Sequence, residues 1–464
     1  MNHLVTTENC PVRFCANTNT FMEKKYRSLA RQMILAGVSA ADPRQSIRST
    51  VRVDGDTVTV RDDTYALKDY DRILLFGIGK AATPMCQAFE EILKPDGGLV
   101  ITKIGAEIGI AEVKSIPVRR AYHPEPRKEN AEYSRMILDM IDAIGPNERV
   151  LVFLMVSGGG SALFSCSPTT VSIEDKFVLN QLLMKCGANI HDINTIRKHC
   201  SEVKGGKFGK RVAAKGATLV SLILSDVVGD DLSVIASGPS YKDATTFADA
   251  IRLLKQYGIW DETPASIQAH LQRGLENPEM EPPRQVPERV HNYLIGNNLA
   301  ALNAVKAIAV REGFKAMILT SQNTGEAKIA AKAYMGIAKE IQDSGNPVQP
   351  PVCLIVGGEM IVTFKWEDRD GFGPTREFVL SSAIEIQGRK NIVIAGCDSD
   401  GVDGEGKSGA IADGQTVARA TLNAKHYLDT HDAEAFFDSL DDSIQFSSMT
   451  NVNDIIVIFV GKNS

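Results

Sequence analysis

The segment VLVFLMVSGGGS, residues 150–161, decides the fold class that we predict for this chain. Its seven leading apolar residues are typical of a strand buried on both faces, and a glycine-rich loop follows them directly. The apolar runs at 73–76 and 219–224 also end in glycine-rich or acidic loops. Because amphipathic helices follow such loops, the pattern predicts an α/β fold with parallel-rich sheets flanked by helices, whose ligands bind beyond the strand carboxyl ends.

The same pattern continues after a proline-rich stretch, NPEMEPPRQVP at residues 277–287, which suits only an exposed connection. Further apolar strands are expected near 293–296, 316–320, 352–356, 391–395 and 454–460. A chain of 464 residues usually forms two domains. We therefore predict a flexible segment over residues 1–21, an N-terminal Rossmann-like domain over 22–285 and a C-terminal α/β domain over 286–464. Packing of the last strand, near 452–460, against the first domain stays open.

Composition excludes several classes of protein. The chain carries 51 Lys and Arg against 57 Asp and Glu, and this acidic balance argues against a general nucleic-acid-binding protein. The longest apolar run, residues 150–156, is too short to cross a bilayer, and no secretory signal is evident near the start. The eight cysteines form no CxxC pair, which is typical of reduced thiols. We expect a cytoplasmic protein without nucleic-acid or membrane partners, and a mitochondrial location stays open.

The loop Ser157-Gly158-Gly159-Gly160-Ser161 is the most informative chemical signal. Three glycines after a buried strand let backbone amides turn towards an anion with no Cβ in the way. The start of the following helix adds partial positive charge, and the two hydroxyl groups add donors. The loop therefore predicts an anion site, and a tight turn selected only for close packing is the alternative.

A second glycine loop, GIGK at residues 77–80, follows another predicted strand. It is neither a Walker A loop nor a complete GxGxxG fingerprint, because Ala82 stands where the last glycine belongs. Lys80 at this position can neutralise a phosphoryl oxygen as a point charge. The alternative is a solvated lysine at the start of a helix, where a cation meets the unfavourable end of the helix dipole.

Charged residues cluster near other predicted strand ends. Seven Lys and Arg lie between residues 197 and 215 against one acid, which suits either a pocket for anions such as ATP phosphates or a solvated helix face. Asp226, in an acidic loop after a strand, can hold Mg²⁺ or accept a hydroxyl proton, and Asp398 lies in a similar loop. Either aspartate can instead cap a turn. Cations and carboxylates on neighbouring strand-end loops suit phosphoryl transfer.

Taken in order, these loops resemble one family, the class II glycerate kinases, or glycerate 2-kinases of the MOFRL type. The matching segments are GIGKAA (77–82), HPEP (123–126), VSGGGSAL (156–163), INTIRKH (193–199), VKGGK (203–207), LSDVVGDD (224–231), IASGP (235–239), GNN (296–298), GGE (357–359), GVDG (401–404), GAIADG (409–414) and TNVND (450–454). No single segment decides the resemblance, but the ordered set is specific.

The resemblance implies phosphorylation of D-glycerate at its 2-hydroxyl group, with ATP and a divalent metal, normally Mg²⁺. It also implies two α/β domains, the second of the MOFRL type, with the active site in the cleft between them. The essential lysine of the family corresponds to Lys80. The family arginine falls on Pro374, so this chain departs from the pattern and offers Arg376 two positions later. Asp226 becomes the first candidate for metal positioning or proton acceptance.

The resemblance also implies binding roles for other residues in or near the matching segments. The substrate or phosphate contacts are Gly79, Ser157, Gly158, Gly159, Gly160, Ser161, Arg197, Lys204, Lys207, Asn297, Asn298 and Glu359. The metal ligands are Asp226 and Asp398.

Two other functions stay open at this point. One is an oxidoreductase acting on hydroxypyruvate or glycerate, although the chain lacks a complete dinucleotide-binding fingerprint. The other is a non-catalytic protein that binds a sugar acid, which the departure at Pro374 keeps open. The sequence also leaves open which hydroxyl group is phosphorylated and whether the protein is a monomer or a homodimer.

Overall fold

The computed structural model describes residues 21–105, 113–364 and 371–463. Nearly all of the predicted flexible segment therefore lies outside the described residues, since helix α1 begins at its end, over Phe21–Ala40. The chain divides into two compact units. The first unit holds residues 40–297 and 449–452, and the second holds 298–448, 453–463 and α1 up to residue 39. No helix of the described ranges is long and apolar enough to cross a membrane.

The first unit is built around strands and helices that alternate along the chain. In order they are α2 (Pro43–Thr50), β1 (Val51–Asp54), β2 (Thr57–Val60), β3 (Asp63–Ala66), β4 (Arg72–Ile78), α3 (Ala82–Glu90), β5 (Gly97–Lys103), β6 (Val118–Ala121), α4 (Lys128–Asp142), β7 (Val150–Val156), α5 (Gly160–Leu163), α6 (Ile173–Lys185), α7 (Ile190–His199), α8 (Lys207–Ala214), β8 (Thr218–Leu224), α9 (Phe247–Gln256), α10 (Ala265–Glu276) and β9 (Val290–Gly296).

Six of these strands form one sheet in the order β6-β5-β4-β7-β8-β9, and every neighbouring pair is parallel. All seven residues of β7 are buried, as the apolar run at 150–156 predicts for a central strand. Strand β7 pairs with β4 on one side and with β8 on the other. The loops that follow these three strands therefore lie at one edge of the sheet.

A helical layer completes the first unit. Helices α6, α7, α9 and α10 pack around a separate apolar cluster that includes Leu183, Ile196 and Leu271. Because this cluster fixes α6 and α7 against each other, the polar side chains of both helices hold defined positions.

The second unit also alternates strands with helices. In order they are α11 (Asn298–Arg311), β10 (Lys315–Asn323), α12 (Ala327–Ser344), β11 (Val352–Gly358), α13 (Pro374–Glu385), β12 (Ile392–Asp398), β13 (Gly409–Asp413), α14 (Thr416–Arg419), α15 (Ala424–Asp429), α16 (Ala433–Asp438), β14 (Ser443–Ile444) and β15 (Asp454–Val460). Its sheet has the strand order β10-β11-β15-β12-β13-β14.

The second sheet differs from the parallel-rich sheet that we expected there. Only β10 and β11 pair in parallel, and the other four pairings are antiparallel. The cause is β15, which lies between β11 and β12 and runs antiparallel to both. The last strand therefore pairs within the sheet of the second unit. Burial of all seven residues of β15 explains its apolar sequence, and such a run carries no information on strand direction.

The division of the chain also differs from the expected boundary at residue 285. Strand β9 pairs in parallel with β8, so the chain up to Asn297 stays with the first unit. The proline-rich stretch at 277–287 is a connection inside that unit, between α10 and β9. Proline-rich composition predicts an exposed connection correctly but does not say whether it joins two elements or two domains.

Helix α1 belongs to the second unit although it comes first in the sequence. Tyr26 is buried and stacks on Phe459 of β15, with ring centroids 5.3 Å apart. The same ring meets Phe314 edge-on at 5.4 Å. Arg27 forms ion pairs with Asp413 and Asp442. These contacts attach the helix to the second sheet.

Candidate active site

The loops after β4 and β7 are joined by backbone hydrogen bonds. The amide of Lys80 donates to the carbonyl oxygen of Gly158 at 2.8 Å, and the amide of Ser157 donates to Ile78 at 3.1 Å. The buried Ser157 hydroxyl group accepts a hydrogen bond from the Ala81 amide at 3.0 Å. Ser157 therefore fixes the lysine loop against the glycine loop.

Positions 158 and 159 have room only for glycine, because three side chains lie against their backbone. A Cβ atom on Gly158 would stand 2.1 Å from Asp226 Oδ2. A Cβ atom on Gly159, where φ is +79°, would stand 3.2 Å from Lys80 Cγ and 3.0 Å from His123 Cδ2. The structure therefore brings Lys80, His123 and Asp226 to one glycine loop, from segments far apart in sequence.

The charges at this loop influence one another. Burial raises the pKa of Asp226, and the positive charge of Lys80 partly opposes that shift. Burial, together with Lys80 and Lys103, lowers the pKa of His123 to about 4. The imidazole is therefore neutral at pH 7, and Asp226 is a stronger base than an exposed aspartate.

Lys204 reaches the far end of the glycine loop, and its role as an anion contact stays a prediction. Its Nζ atom donates to the carbonyl and hydroxyl oxygens of Ser161, the latter at 2.6 Å. The Ser161 hydroxyl group is also 2.7 Å from the Ser237 hydroxyl group. Lys204 is buried, and burial together with neighbouring cations lowers its pKa well below the usual range.

Arg197 and Lys207 have different surroundings. Arg197 lines a cavity of about 530 Å³ together with residues 124–127. Lys207 donates from Nζ to the carbonyl oxygens of Lys198 and Ser201, at 3.0 and 2.9 Å, and lies 5.4 Å from the ring centre of Phe247. These contacts make Lys207 a structural residue in the helical layer, and we no longer assign it to the anion site.

The surroundings of Arg376 do not suit a catalytic arginine. It is completely buried in the second unit, and its Nε atom is 3.2 Å from Asp403. The remaining guanidinium nitrogens bind Glu434 and the carbonyl oxygens of Phe372 and Asp403. Because the whole donor fork is engaged within the protein, we withdraw Arg376 as a catalytic residue. Pro374, where the family arginine falls, begins helix α13.

The other predicted residues divide between the two units. Asn297 belongs to the first unit and donates from Nδ2 to Asp230 at 2.6 Å, in the loop after β8. Asn298 belongs to the second unit and donates to the carbonyl oxygen of Asp454 at 2.9 Å. Glu359 is exposed just beyond β11. The roles of these three residues stay predictions.

Asp398 lies among other carboxylates of the second unit, and its role as a metal ligand stays a prediction. Its Oδ1 atom accepts the amide of Asp400 at 3.0 Å, and it stands opposite Asp454 in the sheet. Burial and these two neighbouring carboxylates raise its pKa well above the usual range. Within the described ranges, no three His, Cys, Asp or Glu side chains form a group able to hold a metal ion. Asp226 and Asp398 lie in different units.

Three further residues that no sequence pattern predicted, Lys176, Ser165 and Asn180, line the same cavity as Arg197. Lys176 lies inside α6, where a lysine normally indicates a solvated helix face. Ser165 and Asn180 belong to no matching motif. Only the folded chain brings these residues together, and no spacing in the sequence signals it.

Two protein families match this chain. The family described as "Domain of unknown function (DUF4147)" covers residues 29–272, and the family described as "MOFRL family" covers residues 352–454. The first match alone spans more than half of the 464 residues.

Curated relatives are similar over nearly the whole chain. A Pyrococcus horikoshii protein named glycerate 2-kinase is 37% identical over 440 residues, which are 94% of this chain and 97% of that protein. A Thermotoga maritima protein named D-glycerate 2-kinase is 34% identical over 449 residues, 94% of this chain and 99% of that protein. An Agrobacterium vitis protein provisionally named hydroxypyruvate reductase is 32% identical over 450 residues, 95% and 96% of the two chains.

Two crystal structures have the same fold. A protein from Pyrococcus horikoshii OT3 has a TM-score of 0.83 and 35% identity, covering 97% of this chain and 100% of its own. Glycerate kinase from Thermotoga maritima has a TM-score of 0.81 and 33% identity, covering 94% of this chain and 100% of its own. The α/β fold expected from the sequence is therefore confirmed.

Proposed function

Because this chain belongs to the glycerate kinase family with DUF4147 and MOFRL domains, we propose that it phosphorylates D-glycerate at the 2-hydroxyl group, with ATP as donor. The observation that carries the proposal is the meeting of Lys80, Asp226 and the glycine loop at one edge of a parallel sheet. Phosphoryl transfer needs charge neutralisation and alignment more than covalent help from the protein. These residues supply both.

Lys80 and the glycine loop act on the transferred group. As the bond between the γ-phosphorus and the bridging oxygen of ADP breaks, negative charge spreads over the phosphoryl oxygens. The Lys80 ammonium group and the loop amides are fixed donors for that charge, because hydrogen bonds to Gly158 and Ser157 already hold the two loops together. Fixed donors need no reorganisation at the moment of transfer.

Asp226 acts on the acceptor. The 2-hydroxyl oxygen forms the new bond to the γ-phosphorus, and its proton must leave. The Asp226 carboxylate, with its pKa raised by burial, lies against the glycine loop and can take this proton. Neutral His123 beside it can orient the hydroxyl group without adding a competing charge.

The residues at this loop also fit a magnesium ion. Mg²⁺ commonly binds one or two protein carboxylates and completes its shell with phosphate oxygens and waters, so it requires no cage of protein ligands. Asp226 would hold the ion at this edge of the sheet, as the alternative to its role as proton acceptor. When bound with ATP, Mg²⁺ supplies further positive charge at the phosphates.

An oxidoreductase is the second candidate function, because one relative carries a hydroxypyruvate reductase name. The loop after β4 reads GIGKAA and lacks the third glycine of a dinucleotide fingerprint, which disfavours this candidate. A direct test compares two assays on the same preparation: ADP release from D-glycerate and MgATP, and NADH oxidation with hydroxypyruvate. We expect turnover only in the first assay. Turnover only in the second would overturn the kinase proposal.

A further inference from the structure

A cavity of about 530 Å³ in the first unit plays no part in the steps described above. Its wall includes residues 124–127, Ser165 and helices α6 and α7. Lys204 links the cavity to the glycine loop, because it binds Ser161 and its pKa is lowered by the charges of Lys176 and Arg197 on the cavity wall. A ligand in the cavity is therefore next to the site of phosphoryl transfer.

Two cationic side chains on the wall are held by uncharged oxygens. Lys176 Nζ donates to the Ser165 hydroxyl oxygen at 2.7 Å. Arg197 Nε donates to Asn180 Oδ1 at 3.0 Å. In the described chain, the two terminal nitrogens of Arg197 make no hydrogen bond, and they form the planar fork that pairs with a carboxylate.

These cations have no counter-ion. Burial lowers the pKa of Lys176 to about 8 and also lowers the pKa of Arg197. Lys204, which binds Ser161, has its pKa lowered further by both of these neighbours. None of the three side chains forms an ion pair with a carboxylate within the described residues. Buried cations that repel one another are unfavourable unless an anion joins them.

We propose that this cavity binds the carboxylate group of the hydroxy acid that accepts the phosphoryl group, with Arg197 and Lys176 as its ligands. The proposal rests on the kinase activity proposed above. The alternative occupant, MgATP, is disfavoured because the wall has a single carboxylate, the exposed Glu125, to offer a metal ion. The Arg197 fork suits a planar carboxylate, and Lys176 adds the second charge.

Substitutions that remove one charge test the assignment by steady-state kinetics. Arg197→Gln and Lys176→Gln should each raise the KM for D-glycerate by about tenfold or more, because each removes a charge-assisted contact. The KM for MgATP and kcat should stay close to the wild-type values. Arg197→Lys, which keeps the charge but loses the fork, should lie between the wild type and Arg197→Gln. Lys128→Gln is the matched control, because its side chain is 77% exposed at the start of α4.

Binding of D-glycerate without ATP separates this proposal from the kinase activity. D-glycerate alone should raise the unfolding temperature of the wild type and of Lys128→Gln, but not of Arg197→Gln. Stabilisation of the wild type without any turnover would leave the carboxylate site standing and remove the kinase proposal. Unchanged KM for D-glycerate in both glutamine variants, or an increase confined to the KM for MgATP, would overturn the carboxylate site. Circular dichroism spectra matching the wild type establish that each variant is folded.

Discussion

At the scale of single residues, Lys80 carries most of the chemistry in this account. Its side chain lies against Gly159, and its amide joins the two loops. Replacement of Lys80 by Ala should lower kcat about 10²–10³-fold, the usual effect of removing one fixed donor to a developing charge. The fold should persist, because the loop hydrogen bond uses the backbone amide and not the side chain.

The control for this prediction is Lys94→Ala, which removes an exposed lysine from the same unit. The measurements are the initial rate of ADP formation and the thermal unfolding temperature of both variants. Near-normal turnover in Lys80→Ala would show that the ammonium group does not take part in catalysis.

Gly158 is the position at which a single methyl group would collide with the proposed base. A Cβ atom there meets the Asp226 carboxylate at 2.1 Å, so Gly158→Ala must displace the proposed base. We expect a loss of kcat together with about 1–3 kcal/mol of unfolding free energy, as for other overpacked sites. A Cβ atom on Gly336, in helix α12, would have no neighbouring atom within 4 Å. Gly336→Ala should therefore raise the unfolding free energy by about 0.5–1 kcal/mol. Chemical denaturation with parallel rate measurements checks both variants, and wild-type kcat in Gly158→Ala would contradict the account.

At the scale of elements, helix α1 supports a sheet that is formed hundreds of residues later. Tyr26→Ala should destabilise the protein by about 3–5 kcal/mol, because it empties a buried position against Phe459. Amide hydrogen exchange should accelerate in β11 and β15 of the second unit, and less in β7 of the first. Leu35→Ala on the same helix removes a side chain that is 37% exposed, and it should change little. Faster exchange in β7 alone would show that α1 stabilises the first unit, and it would contradict the assignment of α1 to the second.

Elements of the first sheet were predictable because their signals are local. The apolar run at 150–156 and the loops after β4, β7 and β8 indicate parallel strands with a site at their ends, and parallel pairing then brings Lys80 and Asp226 together. The insertion of β15 between β11 and β12 was not predictable. A strand that is buried on both faces has a continuous apolar sequence, and that sequence does not indicate whether the strand runs parallel or antiparallel to its neighbours. Lys176 was missed for a related reason, because its partner Ser165 is on another segment.

At the scale of the whole molecule, the first unit should be sensitive to acid. Burial lowers the pKa of His123 and His199 to about 4 and also lowers the pKa of His270. The unfolded chain binds protons at these histidines below about pH 6.5, whereas His123 and His199 of the folded unit resist protonation until about pH 4. Unfolding free energy should therefore fall as the pH falls through this window, by up to about 1.4 kcal/mol per pH unit for each histidine.

His123→Gln isolates one of these contributions. Its unfolding free energy, measured by urea denaturation between pH 7 and pH 4.5, should fall less steeply than that of the wild type. His191→Gln replaces an exposed histidine and should follow the wild type. Identical slopes for the wild type and His123→Gln would show that His123 does not remain neutral in the folded unit.

The central claim concerns the molecule as an enzyme: its strand-end loops transfer a phosphoryl group from ATP to a hydroxy acid. The most direct test is phosphorus NMR of the product that the wild-type protein forms from D-glycerate and MgATP. The account predicts the resonance of a 2-phospho ester, coupled to the single proton on its carbon, with stoichiometric ADP. A 3-phospho ester would contradict the assigned acceptor hydroxyl group, and the absence of any new phosphoester would contradict the claim itself.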